Sequence, residues 1–183
     1  MNKALDGVRV LDLTHMLSGP YAGMILADLG AETIKVEPLA GEGTRKLLAT
    51  DPKNSLGGMG AYFITLNRNK QSVAIDLKSD AGLQLFYRLV ERSDIVLSNF
   101  GAGVPERLKI DFATLSAINP RIITCTVSGF GSAGPNSVPA FRSVIWVAAC
   151  SGSWGCWQHS TSGSAVASGS TLTSRCWIAR FPC

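Results

Sequence analysis

Val8-Arg9-Val10-Leu11-Asp12-Leu13, then Thr14-His15-Met16-Leu17-Ser18-Gly19-Pro20, then Glu32-Thr33-Ile34-Lys35-Val36-Glu37 is the stretch that decides the fold. The first block is a short, mostly apolar strand. Pro20 stands where a helix accepts its first residue, because proline has no N–H to leave unpaired. From Tyr21 to Leu29 the pattern is helical, with Met24, Ile25 and Leu29 on one face, and Gly30 ends it. Glu32 to Glu37 is a second strand. Two strands joined through a helix by short connections form a βαβ unit, which closes as a right-handed parallel crossover.

Outward from this unit the alternation continues. Leu39 to Gly60 is a long loop containing several glycines, and loops of that length tend to carry function or motion. Ala61–Leu66 and Ser72–Leu77 are expected to be strands. Ser79-Asp80 caps a helix reaching about Arg92, with Leu83, Leu85, Phe86, Leu89 and Val90 supplying its core side. Asp94 to Ser98 is a strand of the fully buried type. Short helices are expected near Pro105–Leu108 and Asp111–Ile118, and Arg121–Ser128 closes the series as a strand. The fold class is therefore α/β, a Rossmann-like parallel sheet with helices on both faces.

In such a sheet, ligands settle beyond the carboxyl ends of the strands. Three ends carry polar or flexible residues: His15–Gly19, Ile75–Lys78 and Asn99–Gly101. Gly19-Pro20 opens a helix whose first N–H groups suit an anion, or else Gly19 only makes the turn. Lys78 and Arg107 are cations near two of these ends, suited either to phosphate oxygens or to an ordinary charged surface. His15 has no evident partner, and Asp12 and Asp76 are single carboxylates, so no catalytic role is assigned to any of the three. A dinucleotide site is the rival. Glu37 lies 18 residues beyond Gly19, where a ribose-binding acid belongs, but Gly19-x3-Gly23 is not the G-x-G-x-x-G that specifies the tight phosphate turn.

Composition sets the outer limits. The 183 residues are 46% apolar, enough for a core, and no apolar run reaches the roughly 20 residues a membrane span needs. The first residues lack the apolar core of a secretory signal, so the expected compartment is the cytoplasm. A net charge of +4 does not by itself imply nucleic acid. That total conceals a break. Residues 1–141 hold all 13 acids and all seven Lys, whereas residues 142–183 hold no acid and no Lys but all four Trp, four of the five Cys and nine Ser. Cys150-x5-Cys156 and Cys176-x6-Cys183 match no common zinc spacing, so no metal is expected.

Ordered blocks across residues 5–135 resemble the class III CoA-transferases. They include Leu5-Asp6-Gly7-Val8-Arg9-Val10-Leu11-Asp12-Leu13-Thr14, Ser18-Gly19-Pro20-Tyr21-Ala22 and Leu26-Ala27-Asp28-Leu29-Gly30-Ala31-Glu32-Thr33-Ile34-Lys35-Val36-Glu37. Asn67–Lys78, Ser98-Asn99-Phe100, Glu106-Arg107-Leu108, Asn119-Pro120-Arg121 and Ser128–Pro135 follow in order. The resemblance implies a Rossmann-like large domain that binds coenzyme A as substrate, acyl-CoA and carboxylic acid partners, and a homodimer of interlocked subunits. It places CoA contacts on Leu17 and Ser18, on Ile75, Asp76, Leu77 and Lys78, on Asn99, Phe100 and Gly101, and on Arg107. Pro38 departs from the pattern, since some relatives place an Arg there beside the adenine.

The resemblance also implies a nucleophilic Asp in an Ile/Leu-Gly-Asp motif after the Gly-rich segment. No such motif is present, and the last Asp is Asp111. Residues 142–183 read instead as the right DNA in the wrong frame. Tryptophan has a single codon, TGG, so reading one base earlier forces Trp177-Ile178 to give Asp, Trp146-Val147 and Trp154-Gly155 to give Gly, and Trp157-Gln158 to give Ala. Permitted codons then give Ile-Gly-Asp-Leu-Gly across Ser143–Val147, Leu-Gly-Val-Leu-Ala-Ala across Trp154–His159, and a string containing Val-Asp-Val-Asp-Val between Val166 and Phe181. The expectation is a CoA-binding region over 1–141, an out-of-frame tail over 142–183, and a chain that is inactive because its nucleophile is missing. Two alternatives stay open: an α-methylacyl-CoA racemase-like enzyme, and a non-catalytic CoA- or dinucleotide-binding module.

Overall fold

The computed structural model describes residues 3–128 and the backbone of Thr171–Ser174. Its centre is a parallel sheet. Strand β1 is Arg9–Asp12, β2 Glu32–Glu37, β5 Lys70–Ala74, β6 Ile95–Ser98, β7 Ile123–Val127 and β8 Thr171–Ser174. Their spatial order is β5-β2-β1-β6-β7-β8, every neighbouring pair parallel. Asp12 at the end of β1 sits between Lys35 of β2 and Leu97 of β6. The expected βαβ unit is present, its helix α1 spanning Ser18–Asp28. The segment read as out of frame contributes β8, paired with β7 from Thr124↔Thr171 to Val127↔Ser174. The shifted motifs over Ser143–Val147 and Trp154–His159 lie outside the described residues.

Successive side chains of a strand point to opposite faces, and here each face has its own core. Val10, Ile95, Leu97, Ile123 and Cys125 pack with Ala22 and Leu26 of α1. Leu11, Val96 and Val36 pack on the other face with Leu83, Phe86 and Val90 of helix α3 (Asp80–Val90) and Leu115 of helix α5 (Phe112–Ile118). Both of those helices start as the sequence implies. The Ser79 hydroxyl accepts from Gly82 N at 3.1 Å, and the Asp111 carboxylate accepts from Thr114 N at 3.1 Å. Each fully buried Leu or Ile contributes about 1.5–3 kcal/mol relative to exposure.

Some expectations fail, among them Leu85, expected on the core side of α3 and in fact exposed. Ala61–Leu66 is a helix, α2, not a strand. Six residues with β-branched Ile64 and Thr65 read equally well either way, and packing decides. Phe63 and Leu66, three apart, bury on one helical face, and the Arg45 guanidinium lies 4.0 Å above the Phe63 ring. Ser72–Leu77 is also displaced, since the strand runs Lys70–Ala74. The strand starts at Lys70, whose ammonium pairs with Asp12 at 2.8 Å. The long loop holds a 3₁₀ turn (Gly43–Lys46) and a small hairpin of β3 (Ser55–Leu56) and β4 (Met59–Gly60).

Candidate functional site

Strand order reverses between β1 and β6, since β2 and β5 lie to one side of β1 and β6 to β8 to the other. Ligand crevices in open parallel sheets form outside the carboxyl ends at such a reversal. A cavity of about 510 Å³ opens there, reaching across the ends of β1, β2 and β5. His15, Met16, Pro38, Leu39, Ile75–Lys78, Phe100 and Leu108 are among the residues that line it. Asn99 holds the His15 backbone by a two-way clasp. It accepts from His15 N at 3.0 Å and donates to His15 O at 2.8 Å. The His15 ring lies 5.8 Å from that of Phe100. Desolvation by burial lowers the imidazole pKa, with Glu42 pulling it up and Lys35 pushing it down.

Charge is buried beneath the apolar lining. Lys35 donates to Thr14 O at 2.7 Å and pairs with Glu42 at 2.9 Å, both side chains almost wholly buried. Glu42 also accepts from Met16 N at 2.8 Å and from the Thr44 hydroxyl at 2.7 Å. Met16 has φ 70, a conformation most side chains avoid. The long loop therefore pins the strained turn after β1, and through it the cavity's mouth. Beside this pair, Glu37 accepts from Arg45 at 2.6 and 2.7 Å, from Ser72 Oγ at 2.7 Å and from Glu42 N at 2.8 Å. Burial raises the Glu37 pKa, but these hydrogen bonds and the guanidinium charge outweigh it and hold the carboxyl at about 2.

Five of the ten expected contact residues line the cavity: Ile75, Asp76, Leu77, Lys78 and Phe100. Leu17 and Ser18 lie at the start of α1, next to the lining residue Met16. Asn99 works on the His15 backbone, while Gly101 and Arg107 are exposed and outside the lining. Arg107 ends the short helix α4 (Val104–Arg107). The Asp76 carboxylate accepts from Lys78 N at 3.0 Å, which shapes the turn carrying the lysine into the cavity. Gly19 is needed for close approach, since a Cβ there would sit 2.3 Å from Thr14 Cβ.

Met16 lies within the strand end His15–Gly19, whereas Leu39, Lys35 and Glu42 line the cavity with no signal of their own in the sequence. The glycine-containing loop pointed to the region of Leu39 and Glu42 but not to the residues, and a strand lysine reads as surface. Among the described residues no three His, Cys, Asp or Glu converge as metal ligands, and no helix is long and apolar enough to cross a membrane.

Residues 5–165 match the sequence family described as CoA-transferase family III. Over 142 residues the chain is 39% identical to an acetyl-CoA:oxalate CoA-transferase of Acetobacter aceti, covering 76% of this chain and 35% of that protein. Over 136 residues it is 42% identical to a formyl-CoA:oxalate CoA-transferase of Streptomyces avermitilis, covering 74% and 32%. A solved CAIB/BAIF family protein from Brucella suis superposes with a TM-score of 0.82 at 28% identity, over 96% of this chain and 53% of that one. The chain thus spans about a third of the length of the curated relatives it matches.

Proposed function

The chain belongs to CoA-transferase family III, and from that premise we propose that residues 1–141 form the CoA-binding region of an enzyme that moves CoA from an acyl-CoA to a carboxylic acid. The observation that carries this reading is the cavity of about 510 Å³ at the strand-order reversal, apolar enough for an adenine and pantetheine and bearing Lys78 at its edge for phosphate. Ile75, Asp76, Leu77, Lys78 and Phe100 belong to its lining. Leu17, Ser18, Asn99 and Gly101 frame the neighbouring strand ends, and Arg107 stands near enough in sequence to Leu108 to serve a phosphate from outside.

In the parent reaction an Asp carboxylate attacks the thioester carbonyl, giving a mixed anhydride and free CoA thiolate. The thiolate then attacks the aspartyl carbonyl, releasing the donor acid and leaving an aspartyl thioester. The acceptor carboxylate attacks in turn, and the returning thiolate completes the new acyl-CoA. No Asp follows Asp111 in these 183 residues, so the chain binds CoA without turning it over. The compositional break at 141 and pairwise matches of 136 and 142 residues support an out-of-frame tail, although the family match runs on to residue 165.

Calorimetric titration tests the binding half of the proposal. Saturable CoA binding with weaker NAD binding is expected, and Lys78→Met should weaken CoA about tenfold, the worth of one charge-assisted contact. NAD binding more tightly than CoA overturns the reading. Mass spectrometry tests the other half, because a CoA- or acyl-modified carboxylate on this chain after incubation with acyl-CoA contradicts its inactivity.

A further inference from the structure

Glu37 ends the second strand of the βαβ unit and lines the cavity, the place where dinucleotide-binding sheets keep the acid that holds a ribose diol. Here that acid is already engaged. A carboxylate offers about four acceptor sites. Oε1 takes Arg45 Nη2 at 2.6 Å and Ser72 Oγ at 2.7 Å, while Oε2 takes Arg45 Nε at 2.7 Å and Glu42 N at 2.8 Å. Neutral hydroxyls cannot displace a two-pronged guanidinium without leaving its charge unpaired in a partly buried position. Arg45 is braced as well, over the Phe63 ring at 4.0 Å and against Met59 Sδ at 3.2 Å.

We propose that Arg45 is a specificity-determining positioning residue, one that closes Glu37 to ribose hydroxyls so that the cavity does not recognise nucleotides by their diol. The ligand class that loses nothing by this is a nucleotide whose ribose has no diol to offer, such as one already phosphorylated on the 3′ oxygen. This rests on reading the cavity as a nucleotide site, and it adds the reason that the nicotinamide dinucleotides its topology would otherwise suit gain no diol contact there. Arg45 also ties the 3₁₀ turn to β2, a purely structural duty that would weaken all ligands alike when lost. A change in the ratio between ligands separates the two roles.

The test uses the full chain and calorimetry with adenosine diphosphate against its 2′,3′-dideoxy form. Affinities within twofold of each other are expected in the unaltered protein. In Arg45→Met, Glu37 is freed and the diol-bearing ligand should gain about tenfold over the dideoxy form, a gain that Arg45→Met/Glu37→Leu abolishes. Ser72→Ala, which opens one acceptor site without disturbing Arg45, should shift the ratio a few-fold in the same direction and serves if Arg45→Met fails to fold. A tenfold preference for the diol in the unaltered chain, or an unmoved ratio in a folded variant, overturns the proposal, and so does failure of the unaltered chain to bind either nucleotide. CoA is titrated separately: diol-blind binding of adenosine diphosphate without binding of CoA would sink the CoA reading and leave the role of Arg45 standing.

Discussion

Glu37 is held at about 2 against an ordinary 4.5, so its ionised form is favoured in the folded state. A depressed carboxyl adds stability that is fully present above the unfolded value and is lost as pH falls from about 4.5 toward 2. The contribution is on the order of 2–3 kcal/mol after allowing for the partial exposure of Arg45. Urea unfolding between pH 6 and 2 should therefore show a steeper loss in the unaltered chain than in Glu37→Gln, and parallel curves would mean the clamp does not hold in solution. The pair between Lys70 and Asp12 behaves differently. Lys70 donates to Asp12 at 2.8 Å, Pro20 O at 2.8 Å and Asn67 at 3.0 Å, and burial lowers its pKa while Asp12 raises it. Lys70→Met leaves Asp12 charged and buried, and should cost about 3–5 kcal/mol by denaturant unfolding. Lys70→Met/Asp12→Leu should recover much of that loss. None of these pairings was legible in the sequence, because Asp12 with Lys70, and Glu37 with Arg45, depend on how strands and loop meet rather than on spacing.

At the level of elements, regular periodicity was readable and irregular packing was not. α3 announces itself through Ser79 and the spacing of Leu83, Phe86 and Val90, and β2 matches its expected bounds because Gly30 and Pro38 bracket it. α2 does not, since its identity comes from the surface it meets. Gly60, just before it, shows how tight that meeting is. A Cβ there would stand 1.6 Å from Leu47 O, a backbone atom that cannot swing aside. Gly60→Ala should therefore cost about 2–3 kcal/mol, the scale of forced backbone shifts, and loosen the long loop over the cavity. Gly101→Ala is the control. It is exposed and a Cβ there meets nothing within 4 Å, so the variant's unfolding free energy should stay within about 0.5 kcal/mol of the parent. Equal effects at the two positions would mean the loop is not packed as described.

For the whole molecule, the parallel sheet and the crevice at its edge follow from a short argument: the crossover after β1 turns one way, the chain returns to pair β6 on the other side of β1, and a crevice opens between. That argument needs only the alternation of residues 8–128, which is why the fold could be read directly. The chemistry is another matter. Acyl transfer through an aspartyl intermediate needs a carboxylate nucleophile, and the acids of these 183 residues stop at Asp111. If the tail is the right DNA in the wrong frame, the nucleotides beyond codon 141, read one base earlier, should encode Ile-Gly-Asp near codon 145, and Asp at the codon pair of Trp177-Ile178. A gene with that frame restored should produce a chain that gains a covalent CoA adduct on the recovered Asp when given acyl-CoA and quenched rapidly, while the present chain gains none under the same conditions. Exchange of CoA between thioester and acid by the restored protein would identify it as a transferase. Uptake of deuterium at the α-carbon without exchange would point to a racemase on the same scaffold, and a DNA sequence whose shifted frame carries a stop codon before the Ile-Gly-Asp would remove the frameshift from consideration.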